Sequence, residues 1–582
     1  MFMRLAVVVA AVLMSVTSPV VVADGRADCD WTQWGQNAAH TGQLCVRGQH
    51  DLRLLARMVV DPFAEQEAAE SSSGGYIPVH LPTPLVDGDG NVFVLRKGGS
   101  YVSCDPPGSG QPAPCGNVPG NLERQTWSVQ ALRWQHDRLV ETWTFTSDWK
   151  PSRIFGKESL FQSAMSEDFV YVPGAGGTVF QLAKDSGRVV ARINPFGDTV
   201  EAAAFASGGL TLDAHGTLFY NVVKSEPTPN GPDDGHGWLV RVTRDRTISM
   251  VDYRTLIPGA PRPTDLCYGT FNQQNAERPF PPPPQPDGSP TLPPQQPCLS
   301  QRAGLGEAPA VGADGTIFTV TRSHNSSGGA NYGYVVALNP DLTLKWATSL
   351  RGILNDGCGV LVPYGTAPFD CRPGTALGVD PYTNLPPAAG VDDGSTASPV
   401  VLPDGSVVYG TRNLYNGRRG HLMKFDRTGR YVANYDYGWD ITPAVYRHDG
   451  TYSMYIKDQH YSSGGPYHVT RLDADLNKEW SHANTETRTC ERLPDGTVSC
   501  VDDGTHPNGF EWCISAPVVD RDGTLYGLSA DGHFYVIDSQ GRQREKVFLS
   551  KTIASAYTPV TLDSRGRVYA QNNGELYVLG RG

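Results

Sequence analysis

What this chain lacks narrows its chemistry first. It has no basic excess: 48 Lys and Arg stand against 60 Asp and Glu, a net charge of −12. That balance argues against a general nucleic-acid binder or a partner of anionic membranes. Charge of either sign is scarce at 19%, and no low-complexity charge run occurs, so the disordered class is excluded as well. Among the 11 cysteines no two are adjacent and none form C-x-x-C, which removes a cysteine zinc site and a C-x-x-C-H haem attachment. H-E-x-x-H, G-x-S-x-G and phosphate-loop motifs are missing too. Beyond the N-terminus no apolar run is long enough to span a bilayer, so no membrane span is expected.

What is present is turn-forming. Glycine and proline make up 109 of the 582 residues, well above the average share of about 12%. Such a chain reads as many short strands joined by tight turns, not as a helical bundle. Its first segment is built for export. Arg4 precedes an apolar run from Leu5 to Leu13, and Val21-Val22-Ala23 offers a small-residue cleavage site near Ala23. Residues 1–23 are read as a signal peptide and 24–582 as a single mature domain, secreted or periplasmic. Asp28 before Cys29 is unlike a lipid-attachment site.

Cysteine placement agrees with an oxidising compartment. Five local pairs are expected: Cys29–Cys45, Cys104–Cys115, Cys267–Cys298, Cys358–Cys371 and Cys490–Cys500, with Cys513 as a free thiol. Cys500–Cys513 with Cys490 free stays open as the rival pairing.

An internal repeat sets the fold. One phrase is a small residue and Pro, apolar residues, a polar turn and a β-rich run. It reads TPLVDGDGNVFVL from Thr83, EAPAVGADGTIFTV from Glu307, ASPVVLPDGSVVYG from Ala397 and TPAVYRHDGTYSMYI from Thr442. SAPVVDRDGTLYGL from Ser515 and YTPVTLDSRGRVYA from Tyr557 continue it, and degenerate copies start at Gln162 and Ser207. Each of these eight is followed by a third-strand phrase such as GYVVAL from Gly333 or GHLMKF from Gly420. Four-stranded units at this spacing mean an all-β, eight-bladed propeller of four-stranded blades. The turn positions Gly90, Asp168, Gly216, Gly315, Gly405, Gly450, Gly523 and Gly566 are separated by 43–48 residues or by much longer intervals. Each of the four long intervals holds one of the proposed cysteine pairs. The disulfides therefore staple inserted loops, and these loops are expected on one face. The Pro-rich stretch 279–297 is read as a surface loop within one of them. The last unit ends at Gly580 after three strands. The segment around Trp31 to Gly42 is expected to supply its outer strand and close the ring.

That segment, WTQWGQNAAHTG, resembles the opening phrase of the PQQ-like (quinoprotein-type) eight-bladed propeller repeat family, and the repeated phrases above resemble that family's blades. The likeness implies the propeller fold over nearly the whole mature chain. By implication only, it brings PQQ with calcium as a cofactor, and either quinone-dependent oxidation or an envelope-assembly role. Two features depart from the alcohol-oxidising members: the adjacent Cys-Cys pair is missing, and the fourth-strand tryptophan docking phrase is incomplete, although Trp346 and Trp480 sit near its place.

Candidate binding residues follow from the phasing. Second-strand ends align Lys97, Lys224, Arg322, Arg412 and Lys457, five basic residues at eight equivalent positions, suited to an anionic ligand. At the tops of the first strands stand His80, Glu307, Asp440, Cys513 and Tyr557, where a carboxylate pair near a His could serve acid–base work or bind a metal. His421, His468 and His533 share a position in three third strands, too far apart to share a metal. The D-x-D-x-N strings at Asp87 and Asp473 read as hairpin turns in place of calcium loops. No residue is assigned a catalytic role, and no metal ligand is assigned. The leading expectation is an exported, monomeric binding or scaffold module, its partner a small molecule, a glycan or another envelope protein. An oxidoreductase, an acidic-glycan lyase or hydrolase with its site at the channel mouth, and an envelope assembly factor stay open, so enzyme status is undecided.

Overall fold

The computed structural model describes residues 29–581 apart from 70–81, 103–120, 152–159, 229–232, 272–280, 326–330, 355–356, 363–364, 368–370, 414–419, 438–440, 460–463, 494 and 552–558. Residues 1–23, expected to be a signal peptide, and Cys104, Cys115, His80, Asp440 and Tyr557 lie outside the described residues. Eight antiparallel sheets follow one another along the chain. Blade 1 is typical: an inner strand Leu85–Val86, then Asn91–Gly99, Gln125–Gln135 and an outer strand Arg138–Ser147. The inner strands of blades 2 to 8 contain Ala164–Met165, Ala204–Leu212, Ala310–Val311, Val400–Val401, Ala444–His448, Val518–Val519 and Val560–Leu562.

The turn glycines explain the regular phase. Gly90, Gly216, Gly315, Gly405, Gly450, Gly523 and Gly566 all adopt φ between +75° and +81° at the hairpin after the inner strand. Any side chain there is strained, so glycine recurs. An aspartate completes many hairpin turns, both after the inner strands and between third and fourth strands. Asp87 Oδ1 accepts from the amides of Asp89 and Asn91, and Asp473 Oδ1 from those of Asp475 and Asn477. Both D-x-D-x-N strings are thus hairpin turns whose carboxylates serve their own backbone.

Packing is layered between blades. Leu85, Phe93, Trp127 and Val129 of blade 1, for example, pack with Met165, Val170, Val172 and Leu182 of blade 2. Three outer-strand tryptophans dock onto the next blade. The indole nitrogens of Trp143, Trp346 and Trp480 donate to the carbonyls of Lys184, Arg427 and Ser539, each at 3.0 Å. Their rings lie over Gly187, Gly429 and Gly541, where a Cβ would come within 2.5–2.8 Å of the ring.

Ring closure differs from the expectation. The fourth strand of blade 8 is Arg53–Val59, paired antiparallel with Glu575–Gly580, and not the Trp31–Gly42 segment. That segment instead makes a circuit around the inside of the ring. Trp31 exchanges backbone bonds with Val86 of blade 1, Thr32 accepts from Met165 of blade 2, and the Gln33 amide brackets Leu212 of blade 3. Ala38, Ala39, Thr41 and Gly42 then accept from Val311, Val401, Val445 and Val519 of blades 4 to 7. The physical reason lies in the inner strands: their last amides face the channel with no strand inside them, and buried donors must be satisfied. The chain then passes blade 8, where Gln49 donates to Gly566, before reaching the outer edge.

Candidate functional site

The circuit binds the inner strands just before their hairpins, which fixes one face of the ring. The insertions leave from the opposite face, between an outer strand and the next inner strand. They include the small hairpins Leu266–Tyr268 with Gln295–Pro297, Val360–Val362 with Gly365–Ala367, and Arg488–Arg492 with Val498–Asp502. Disulfides Cys267–Cys298, Cys358–Cys371 and Cys490–Cys500 staple them, and Cys29–Cys45 ties the start of the circuit. Cys513 is a buried free thiol whose pKa burial pushes up. The first two insertions pack on each other: Phe271 N donates to Tyr382 O at 2.8 Å, Asn384 to Thr291 O at 3.1 Å, and Arg372 to Pro281 O at 3.2 Å. The described part of the Pro-rich stretch is exposed over 283–290 and buries Pro281 and Pro293.

Between the faces the channel is filled. Trp34 is fully buried on the axis, packed with Leu160, Ala308 and Ala516, and its indole nitrogen donates to Thr442 Oγ1 at 3.2 Å. The inner strands are also tied to one another. Thr83 donates to Gln162, Ser207 to Gly304, Ala308 to Ser398, Ser398 to Thr442 and Thr442 to Ser515. His40 is buried beside them, its Nδ1 2.9 Å from Pro399 O, which requires the proton on Nδ1. Burial lowers its pKa to about 4.

The five basic strand ends are present, and each has an acidic neighbour. Lys97 is buried with Glu67 at 3.0 Å and Asp61 at 3.7 Å. Lys224 pairs with Glu201 at 2.9 Å, Arg322 with Asp393 at 3.3 Å, and Arg412 with Asp392. Lys457 is fully buried and interacts electrostatically with Glu511, whose carboxyl burial raises. Glu307, Arg322 and Arg412 come together at the junction of blades 4 and 5, whereas Lys97, Lys224 and Lys457 sit apart in blades 1, 3 and 6.

That junction holds a buried network the sequence did not reveal. Arg302, 1% exposed, grips Asp393 with two parallel bonds of 2.6 Å, and its Nε contacts His324 at 2.8 Å. Burial opposes ionisation of Asp393, but Arg302 and Arg322 outweigh it and hold the carboxyl far below its ordinary range. Glu307 is buried beside them, with Oε1 accepting from Tyr409 at 2.6 Å and Oε2 without a hydrogen bond. Burial raises its pKa well above the ordinary carboxylate range, against the lowering effect of that bond. His421, His468 and His533 lie in blades 5, 6 and 7 on three separate third strands. Among the described residues no group of three His, Cys, Asp or Glu is placed to hold a metal ion. No described helix is long and apolar enough to cross a membrane.

Comparison with solved structures bears on the fold alone. No protein-family model matches the chain, and no match emerges from curated sequences. The structure is similar to the quinohemoprotein alcohol dehydrogenase of Comamonas testosteroni, with a TM-score of 0.51 at 12% identity over 96% of this chain and 82% of that one. The quinohemoprotein alcohol dehydrogenase ADHIIG of Pseudomonas putida HK5 gives 0.48 at 10% identity, over 96% and 81%. BamB of Moraxella catarrhalis gives 0.30 at 11%, over 91% and 100%.

The fold raises the question of a quinone. A planar polyanion such as PQQ, held with calcium, needs free cations, metal-binding oxygens and a slot at the channel mouth. Here the described strand-end cations face carboxylates, the axis is filled by Trp34, and no described cluster suits calcium. The described residues do not fit that cofactor.

Proposed function

We propose that this chain, a PQQ-like eight-bladed propeller in fold, is an exported binding or scaffold module that works through the face built by its stapled insertions. One observation carries the reading: the chain fills its own channel with Trp34 while it elaborates one face with cross-linked loops. Loops on a rigid ring are where recognition resides. Side chains there favour a protein partner in the envelope over a small anion. Leu266, Leu377 and Val501 are 61%, 73% and 61% exposed on the insertions, whereas the basic strand ends are already matched by acids. The four described disulfides support folding outside the cytoplasm, in an oxidising compartment.

The test is uptake of cofactor against capture of a partner. Incubation with PQQ and calcium, followed by absorption spectroscopy and elemental analysis, is expected to give no stoichiometric loading. Loading with a shifted quinone spectrum, and dye reduction by alcohols or sugars, would overturn the reading in favour of an oxidoreductase. Envelope proteins retained by the immobilised chain are expected to be lost on Leu377→Asp with Val501→Asp. Retention unchanged by both substitutions would remove the insertions from the function.

A further inference from the structure

On the face opposite the insertions, the circuit and the inner hairpins enclose a cleft of about 380 Å³, lined by Asp30, Thr32, Gln36, Asn37, Thr41 and Gln43 with Arg447 and Arg521. We infer that this cleft is a second binding site, for a small hydroxylated carboxylate such as an acidic sugar, gripped by Arg447 and Arg521.

The two arginines occupy one structural position in neighbouring blades. Each stands two residues after the inner-strand residue that donates to the circuit, Val445 in blade 6 and Val519 in blade 7. The same position holds Gly88, Glu167, Ala214, Ala313, Pro403 and Ser564 in the other blades, so the pair is a local feature and not part of the repeat. Both side chains are exposed. Arg447 forms no ion pair among the described residues, and Arg521 pairs with Asp522 at 3.6 Å, a carboxylate it shares with Arg47. Arg447, with no described acid beside it, contrasts with the five strand-end cations on the other face, and Arg521 shares its one acid with Arg47. Their backbones are fixed: Arg447 N donates to Gln43 Oε1 and Arg521 N to Val46 O, each at 3.1 Å. A planar carboxylate suits two such forks.

The rest of the lining selects what is attached to that carboxylate. Thr32, Gln36, Asn37, Thr41 and Gln43 offer hydroxyls and amides, and Leu44 is the principal apolar side chain. These groups are held in place, with Asn37 Nδ2 donating to Thr41 Oγ1 at 2.7 Å and Gln36 Nε2 to Asp30 O at 3.0 Å. A lining of amides and hydroxyls matches ligand hydroxyls, not an apolar body. Asp30 lines the cleft from the blade 1 side, where a second anionic group would meet repulsion and a hydroxyl would find an acceptor. That excludes a phosphate dianion and favours a single carboxylate with neighbouring hydroxyls. The volume falls within the range of small-molecule sites, about 300–1,000 Å³.

The probe is D-galacturonate, with D-galactose as its neutral counterpart, in ligand-observed saturation-transfer NMR and calorimetry on the mature chain. Galacturonate is expected to bind at least about tenfold more tightly than galactose and to lose about tenfold or more with Arg447→Ala plus Arg521→Ala. Because both side chains are exposed, the double variant is expected to keep the wild-type circular dichroism and melting temperature. Arg447→Lys with Arg521→Lys keeps the charges and is expected to recover part of the affinity. Equal binding of galactose, absence of galacturonate binding, or binding indifferent to the arginines would each overturn the inference.

Discussion

Trp34 provides the sharpest test of the filled channel. It is fully buried against Leu160, Ala308 and Ala516, which sit at or beside inner strands tied into the ring. An indole buries on the order of 200 Å², worth about 5 kcal/mol at 25 cal/mol/Å². Because its neighbours are anchored to separate blades, little collapse can refill the hole. Trp34→Ala is therefore expected to destabilise by about 3–5 kcal/mol. Thr442 Oγ1 contributes nothing to that loss as an orphan, since it still accepts from Ser398 N and donates to Thr396 O. Trp34→Phe keeps a ring on the axis and removes the indole N–H, and is expected to cost only about 1–2 kcal/mol. Guanidinium unfolding followed by far-ultraviolet circular dichroism measures both, as a midpoint shift at unchanged slope. Added indole should raise the midpoint of Trp34→Ala and leave wild type unchanged, because an apolar hole of this size stays dry and takes up apolar ligands. A loss below about 1 kcal/mol for Trp34→Ala, or equal rescue of both proteins, would refute the reasoning that the side chain supports the ring from its axis.

Other perturbations probe separate parts of the ring. Gly429→Ala adds a Cβ at φ +82° that would come within 2.5 Å of the Trp346 ring, so a loss of about 1–3 kcal/mol in the same unfolding assay is expected. Asp393→Asn leaves Arg302 and Arg322 buried without their counter-charge and is expected to cost about 3–5 kcal/mol, visible as a lower melting temperature. His40 is neutral in the fold with its pKa lowered from 6.5 to about 4, so its stability contribution is complete above pH 6.5 and is lost as pH falls toward 4. The 2.5-unit difference amounts to about 3 kcal/mol, and His40→Gln should remove that slope when stability is measured from pH 7 to 4. Asp30 works in the opposite sense: burial, then the charge of Asp87, raise its carboxyl to about 6, against the pull of Lys184. The folded state thus holds a proton that the unfolded state has released between pH 4 and 6, and stability falls as pH rises through that window. Asp30→Asn is expected to raise the melting temperature at pH 7 and leave it unchanged near pH 3.5.

The blade count and phase were legible because they depend on local chemistry repeated along the chain. A glycine at positive φ after each inner strand leaves a mark at one position, and seven of the eight turns carry it. Disulfide partners were legible for the same reason, since each described pair closes a short local loop within one insertion or the N-terminal circuit. The role of WTQWGQNAAHTG was not. Its two tryptophans and its β-rich flank read equally well as an outer strand, and nothing local says that the amides it must satisfy belong to seven different blades. Its punctuation held a clue in retrospect: Gly35 and Gly42 adopt φ +63° and +61°, and Gln36 and His40 join them at +77° and +59°. Four left-handed residues within eight positions cannot form a strand.

The charged residues carry the same lesson into function. Lys97, Lys224, Arg322, Arg412 and Lys457 align in sequence because strand ends recur, and alignment alone suggests a ring of free cations. Their neighbours are not in the repeat. Glu67 comes from the short helix Ala64–Ala69 beyond the outer strand of blade 8, Glu201 from a connection between blades, and Asp392 and Asp393 from the insertion before the inner strand of blade 5. Repeat positions therefore supply the cations and the non-repeating segments supply the acids, a division that no periodicity can show. Arg447 and Arg521 reverse the pattern. They break the repeat at a position where six blades have no basic residue, and no insertion delivers a carboxylate to them. In a ring whose regular positions serve to close the fold, the exposed basic residues that depart from the repeat are the ones left for a ligand.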